Sequence, residues 1–319
     1  MAERYDSAPP LNWLFSDGEH RKHAFQYWVR DTAQGILNTA VHHSLKAMSI
    51  DACSAFGGAI GATISPLRYA ESDARARRNW CKLRPEQSDR ALVDAAMKRL
   101  WRCVGRTMAE FSVLDRLWEE KRIAINGIEH MAAVRDAGKP ILVATLHLGN
   151  WETVPLVGAA LGFTGSGIYL PPENRFDYRI AARARRYGHV MLAATPAALR
   201  YALQALKANK GPFLIFIDEL VGDHVFAPIF GRALPPEGNI AYAARLAWMT
   251  GAEIIPAFCV RLGDRAQFSI TVLPPVDIVR GGDKQQSLLT NVARLNAVIE
   301  PVITAHLDQW YYLLDLDLA

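Results

Sequence analysis

The sequence predicts an α/β fold: a largely parallel central sheet flanked by helices, preceded by an N-terminal helical extension. Three observations carry this. From Pro140 onward, short apolar runs rich in β-formers alternate with segments of helical periodicity. That alternation calls for parallel strand pairing with helices over both faces. Of the 319 residues 50% are hydrophobic and 21% charged, so the chain can bury a large core and is neither disordered nor fibrous. No internal repeat or low-complexity tract is present. The expected organisation is a helical extension over residues 1–120, in contact with a membrane interface, and an α/β core over residues 121–319.

The elements follow in order. Phe25, Trp28, Val29, Thr32, Ile36, Ala40, Val41, Leu45 and Met48 recur at helical spacing. Such a stripe suits a bilayer interface and equally a core-facing amphipathic helix. Ala52 to Leu67 is uncharged, yet it is shorter than the ~20 residues a span needs and is broken by Gly57, Gly58, Gly61 and Pro66. Val93, Met97, Leu100, Val104, Met108 and Phe111 mark a packing helix. Strands are expected at Pro140 to Leu146, Ile168 to Leu170, Val190 to Ala193 and Phe213 to Ile217, and near 254–260 and 267–273. Helices are expected between the strands, including an Arg-rich one after residue 174, one from Pro196 to Ala208, one near 238–250 and a long one at the C-terminus.

Ligands of such sheets gather at the carboxyl ends of strands, and His147-Leu148-Gly149-Asn150-Trp151-Glu152 stands at one of them. Residues five apart on one helix point about 140° away from each other. A strand, a tight turn and a helix start instead bring Glu152 back towards the imidazole, where it would orient the ring as the acid does in a Ser-His-Asp arrangement. A structural histidine with an acid in the next helical turn is the plainer alternative. Asp218 and Glu219 follow a second strand.

The residues around this motif resemble the bacterial late acyltransferases of lipid A biosynthesis and the related phosphatidylinositol mannoside acyltransferases. The resemblance runs from about residue 70 to the C-terminus: Arg77-Arg78-Asn79-Trp80, Leu83-Arg84-Pro85-Glu86, Arg106 to Glu110, Gly127-Ile128-Glu129-His130, the His147 to Glu152 motif, Asn174, Arg183, Gly188, Asp218, Phe226, Phe230-Gly231, Leu246-Ala247, Thr250-Gly251-Ala252 and Pro256. Three features depart from the family: Asp218-Glu219 in place of Asp-Gln, Ile229-Phe230-Gly231 with Pro235-Pro236-Glu237-Gly238 before the next helix, and the lack of a hydrophobic anchoring helix at the start. The first two put the substrate in question more than the reaction.

The resemblance implies transfer of a saturated acyl chain from an acyl carrier protein or coenzyme A thioester to a hydroxyl of a lipid A precursor or another anionic lipid, with no further cofactor. His147 would be the general base and Glu152 would hold its tautomer, with Asp218 or Glu219 contacting acceptor or base. The backbone N–H groups of Gly149 and Asn150 would stabilise the oxyanion. Arg183 and Arg179 would receive phosphate, since guanidinium pairs bidentately with it, although a run of arginines is often only a solvated face. Asn174, Phe230 and Gly231 are carried over as substrate-binding positions. A lysophospholipid, aminolipid or glycolipid acceptor, or an inactive lipid-binding member of the family, are the alternatives.

Other classes lack their parts. There is no GxSxG elbow, Walker A loop or GxGxxG after a strand. Cys53, Cys81, Cys103 and Cys259 have no metal or disulfide spacing. No helix-turn-helix, zinc finger or RNP pattern accompanies the basic residues, so nucleic acid is not expected. The start, MAERYDSAPPLNW, lacks a secretory h-region. With a net charge of +4 and a pI near 8.9, the expected location is the cytoplasmic face of the inner membrane, held peripherally.

Overall fold

A computed structural model describes residues 8–318; residues 1–7, part of the segment read for a leader, lie outside the described residues. The sheet has seven strands: Ile123–Asn126 (β1), Ile141–Thr145 (β2), Ser166–Tyr169 (β3), Val190–Ala193 (β4), Phe213–Phe216 (β5), Glu253–Arg261 (β8) and Phe268–Val272 (β9). Leu220–Val221 (β6) and His224–Val225 (β7) form a separate small hairpin. The sheet order is β1-β9-β8-β2-β5-β3-β4. Every pairing is parallel except β8 with β9. The helices are Gly18–Phe25 (α1), Asp31–Lys46 (α2), Ile50–Thr63 (α3), Ser65–Arg68 (α4), Ala70–Leu83 (α5), Arg90–Glu110 (α6), Leu114–Glu119 (α7), Ile128–Asp136 (α8), Thr153–Ala160 (α9), Arg175–Ala184 (α10), Pro196–Lys207 (α11), Gly238–Thr250 (α12) and Lys284–Ala305 (α13).

β2 lies at the centre of the sheet and all five of its residues are buried, as expected of a parallel strand covered on both faces. Its side chains alternate between two cores: Leu142 and Ala144 join one cluster with Phe213, Ile215 and Ile254, while Ile141 and Val143 join the other with Leu214 and Ile255. The chain leaves β2 for β3 on one side and later returns through β5, which slots between them, before crossing to β8 on the other side. The carboxyl ends of β2 and β5 therefore border the crevice where such sheets take ligands.

The nine strands among the described residues all fall within residues 121–319. The helices before them nonetheless share the sheet's cores: Trp80, Met97 and Leu100 pack in the cluster that holds Leu142 and Phe213. The uncharged segment at Ala52 to Leu67 becomes α3 and α4. α3 meets α6 at backbone contact, because a Cβ on Gly57 would stand 2.4 Å from the Gly105 carbonyl oxygen and one on Gly61 2.2 Å from that of Trp101. The glycines that break a membrane span thus make a helix seam.

The N-terminal stripe splits between its two readings. Leu45 is buried, whereas Phe25, Val29, Ile36 and Val41 are exposed. α2 docks on α10: the Arg175 guanidinium donates to Tyr27 O at 2.9 Å and Thr32 Oγ1 at 2.6 Å, and Asn38 Nδ2 donates to the Asp177 carboxylate at 3.0 Å. No helix among the described residues is long and apolar enough to cross a membrane.

Candidate active site

The register of the sheet builds the site. β2 and β5 pair with Thr145 opposite Phe216, and Ile217 N–H donates to Thr145 O at 3.0 Å, so the two residues beyond each strand also lie side by side. Those residues are His147 and Asp218. His147 Nδ1 lies 3.0 Å from Asp218 Oδ1, and its backbone N–H donates to Oδ2 at 2.8 Å. Trp310 Nε1–H adds a third hydrogen bond to Asp218 Oδ2 at 2.9 Å. Asp218 and Trp310 have no exposed surface. A carboxylate that accepts three hydrogen bonds places the proton on Nδ1, which leaves the Nε2 lone pair as a base. Among the described residues no hydrogen bond engages Nε2. The imidazole is walled by Phe216, Tyr312 and Trp151, with ring centroids 4.2, 4.9 and 5.3 Å away.

Glu219 stands close by, its Oε2 accepting from Asn239 Nδ2 at 2.8 Å. Burial pushes its carboxyl above the usual range, opposed by His147 and the Asn239 bond and helped by the charge of Asp218. The C-terminal segment closes the back of the site. Tyr311 N–H donates to His147 O at 3.0 Å and Gly149 N–H to Gln309 O at 3.2 Å, and Leu148 bridges Trp310. Sequence patterning gave Gln309-Trp310-Tyr311-Tyr312 no role; its one signal was a run of aromatics just beyond a long helix.

Two expectations for the motif are overturned. Glu152 does not hold the imidazole, because its carboxylate is taken by Arg185, Nη2 to Oε1 at 2.5 Å and Nε to Oε2 at 3.0 Å. The turn at Gly149-Asn150 does not present its N–H groups to a reacting oxygen. Gly149 N–H is spent on Gln309 O, and Asn150 is wholly buried, close to the Cys259 thiol that burial pushes up to about 11. Gly149 also has φ +59°, and a Cβ there would lie 2.7 Å from Cys259 O, so glycine is required for this close crossing of β8. The Asn150 side chain, fully buried, donates from Nδ2 to Glu110 Oε2 at 2.9 Å. Glu110 in turn forms a two-pronged pair with Arg261 at 2.8 and 2.7 Å. The turn is a structural anchor.

The remaining positions separate. Asn174 caps α10, its Oδ1 accepting from Phe176 N–H at 2.9 Å and its Nδ2 donating to Asp31 O at 2.8 Å, so its polar atoms are used within the protein. Phe230 lies behind the site with its ring centroid 5.9 Å from that of Trp310, and with Gly231 it forms a left-handed turn, φ +48° and +76°. Arg179 and Arg183 line a separate cleft between α2 and α10. Among the described residues no group of His, Cys, Asp and Glu side chains is arranged to hold a metal ion.

The α/β sheet thus brings a histidine and a buried carboxylate together at adjoining strand ends. The family model for bacterial lipid A biosynthesis acyltransferase matches residues 21–316. The chain belongs to that family, and its enzyme class is accordingly acyltransferase. No curated protein matches it.

Asp218→Asn should lower turnover by about 10²- to 10⁴-fold with little change in fold. The amide NH₂ must face either Nδ1, which moves the ring proton to Nε2, or the two N–H donors on the other oxygen. Acyl transfer by purified, folded Asp218→Asn at the wild-type rate would remove Asp218 from the site.

Proposed function

We propose that the protein moves a fatty acyl chain from an acyl carrier protein or coenzyme A thioester to a hydroxyl of a lipid A precursor or similar anionic lipid, with His147 as the general base. The observation that carries this is the buried Asp218 on Nδ1 with Nε2 left unengaged. Nε2 takes the hydroxyl proton as the oxygen attacks the thioester carbonyl carbon. The tetrahedral intermediate then expels the thiolate, which recovers the proton from the imidazolium. No covalent enzyme intermediate and no cofactor beyond the thioester are required. Base catalysis of this kind contributes about 10²- to 10⁴-fold.

An apolar groove of about 490 Å³ supports the acyl part of this reading. It runs along the α3–α6 seam between residues such as Val41, Phe56, Ile60 and Met108 and ends at Tyr311 and Leu314. The Tyr311 ring is 5.5 Å from that of Trp151, which in turn abuts His147. An acyl chain in the groove would place its carboxyl end towards the imidazole, each buried methylene contributing about 0.8 kcal/mol. Ile36 and Leu37 are exposed on α2, whose Val41 and Leu45 line this groove, and Phe25 is exposed at the end of α1; these side chains suit insertion into the interface of the inner membrane's cytoplasmic face.

Three measurements test the reading. Folded His147→Ala should turn over acyl thioesters at least ~10²-fold more slowly, and normal transfer by that variant would sink the mechanism. Ile60→Trp should shift preference to shorter acyl donors, since one methylene too many in a filled pocket costs ~1–3 kcal/mol; an unchanged chain-length profile would move the acyl chain elsewhere. Replacing Phe25 and Ile36 with Ser should reduce flotation with anionic vesicles, and equal flotation would remove this face from the membrane contact.

A further inference from the structure

The search for unclaimed sites leads to the cleft between α2 and α10, about 500 Å³, which the base does not use. His42, His43 and Lys46 enter it from α2, and Arg179, Arg183 and Arg186 from α10 and the turn after it. Asp115 is the one carboxylate in its lining and pairs with Lys46 at 3.3 Å. The three arginines are exposed, and no ion pair among the described residues includes any of them. The His42 ring is pushed towards its neutral form first by burial and then by the charges of His43 and Lys46. A concave surface presenting three guanidiniums that no carboxylate among the described residues pairs with, each able to grip two oxygens, matches the phosphate group.

The motif that supplies the base also builds this cleft. Arg185 lies between Arg183 and Arg186 in sequence, and Glu152 holds it by two hydrogen bonds while Phe111 and Tyr169 flank its guanidinium at 5.5 and 5.3 Å. Phe111 also lines the cleft, as does Leu156, one helical turn beyond Glu152. Glu152 therefore fixes the end of α10 from which Arg183 and Arg186 project.

We propose that this cleft binds a phosphate ester carried by a substrate, and that Glu152 is a positioning residue for it, acting through Arg185. The proposal rests on the acyl-transfer reading only for which substrate carries the phosphate. In either case the ester docks on α10 while the reacting groups meet at His147, so that one short motif serves both.

The test is titration calorimetry of the full chain with inorganic pyrophosphate. Wild type should bind, more weakly at high salt, and His147→Ala should bind equally well. Arg183→Ala and Arg186→Ala, both surface changes, should each weaken binding about tenfold or more, as loss of a charge-assisted bond does. Glu152→Gln should weaken binding and raise KM for the phosphorylated substrate while leaving the pH profile of kcat in place. Competition identifies the source: displacement by coenzyme A but not dephospho-coenzyme A assigns the phosphate to the donor, and displacement by phosphatidic acid vesicles but not phosphatidylcholine vesicles assigns it to the acceptor. Wild type that does not bind pyrophosphate, arginine variants that bind it as wild type does, or displacement by neither competitor would overturn the site. A Glu152→Gln protein with normal pyrophosphate affinity and a shifted kcat profile would overturn the positioning role. Binding is read without turnover, so absent acyl transfer with intact binding would count against the acyltransferase mechanism alone.

Discussion

The buried pair between Glu110 and Arg261 is the contact on which the site's framework depends. Glu110 has no exposed surface and Arg261 has 6%. Burial works against the charge on the Arg261 guanidinium, but the Glu110 carboxylate more than compensates and holds it firmly protonated. The pair joins the end of α6 to the end of β8 and, through Asn150, to the turn after β2. Gln309 extends the connection: its side-chain oxygen accepts from Arg261 N–H at 2.8 Å, and its backbone carbonyl accepts from Gly149. Four segments distant in sequence are thus fixed by polar groups with few alternatives in a dry interior. Such pairs add little net stability but are costly to break, about 3–5 kcal/mol when one partner is removed. Their effect here is one of geometry, since they set where β2 ends and so where the imidazole begins.

With the turn anchored, the six residues from His147 to Glu152 divide their chemistry. The side chain at the start faces the neighbouring strand and a buried carboxylate. The glycine permits a close crossing over β8. The asparagine is tied to the core, and the glutamate at the end grips Arg185, just past the helix carrying the arginines. The apolar groove and the basic cleft approach this motif from different directions, which suits a reaction joining a hydrocarbon tail to a charged partner.

Much of this was legible in the sequence, and the limits have physical reasons. The sheet's strands from Ile141 to Val272 were readable, most plainly β2, β5 and β8, which are covered on both faces and so read as near-continuous apolar runs; the β6–β7 hairpin, only two residues a strand, read as loop. β1 was missed, since four residues with one buried side chain leave little pattern. His147 stood out as a titratable group at the end of such a run. Sequence proximity favoured Glu152 as its partner and left Asp218 one of two further candidates, whereas contact is decided by strand order and register, which place Asp218 beside it from 71 residues away. The oxyanion expectation failed for a related reason: whether a turn's N–H groups are free depends on what crosses them, here Gln309, which takes that of Gly149, and β8, under which Asn150 is buried. The arginines were visible as a cluster, but Arg175 is consumed in docking α2, and the histidines and lysine that complete the cleft arrive from a helix about 140 positions earlier.

The place of Trp310 along the chain bears on how the enzyme comes into being. Every strand of the sheet precedes it, as does the long helix α13. Synthesis runs from the N-terminus and a domain folds as a unit, so the indole that secures Asp218 and packs in one core with Leu142 and Phe213 is among the last parts to arrive. Until then the core lacks its largest fully buried side chain, and Asp218 lacks one of its three hydrogen-bond donors. The histidine–carboxylate pair is therefore completed together with the core it rests on, by residues that emerge after every strand.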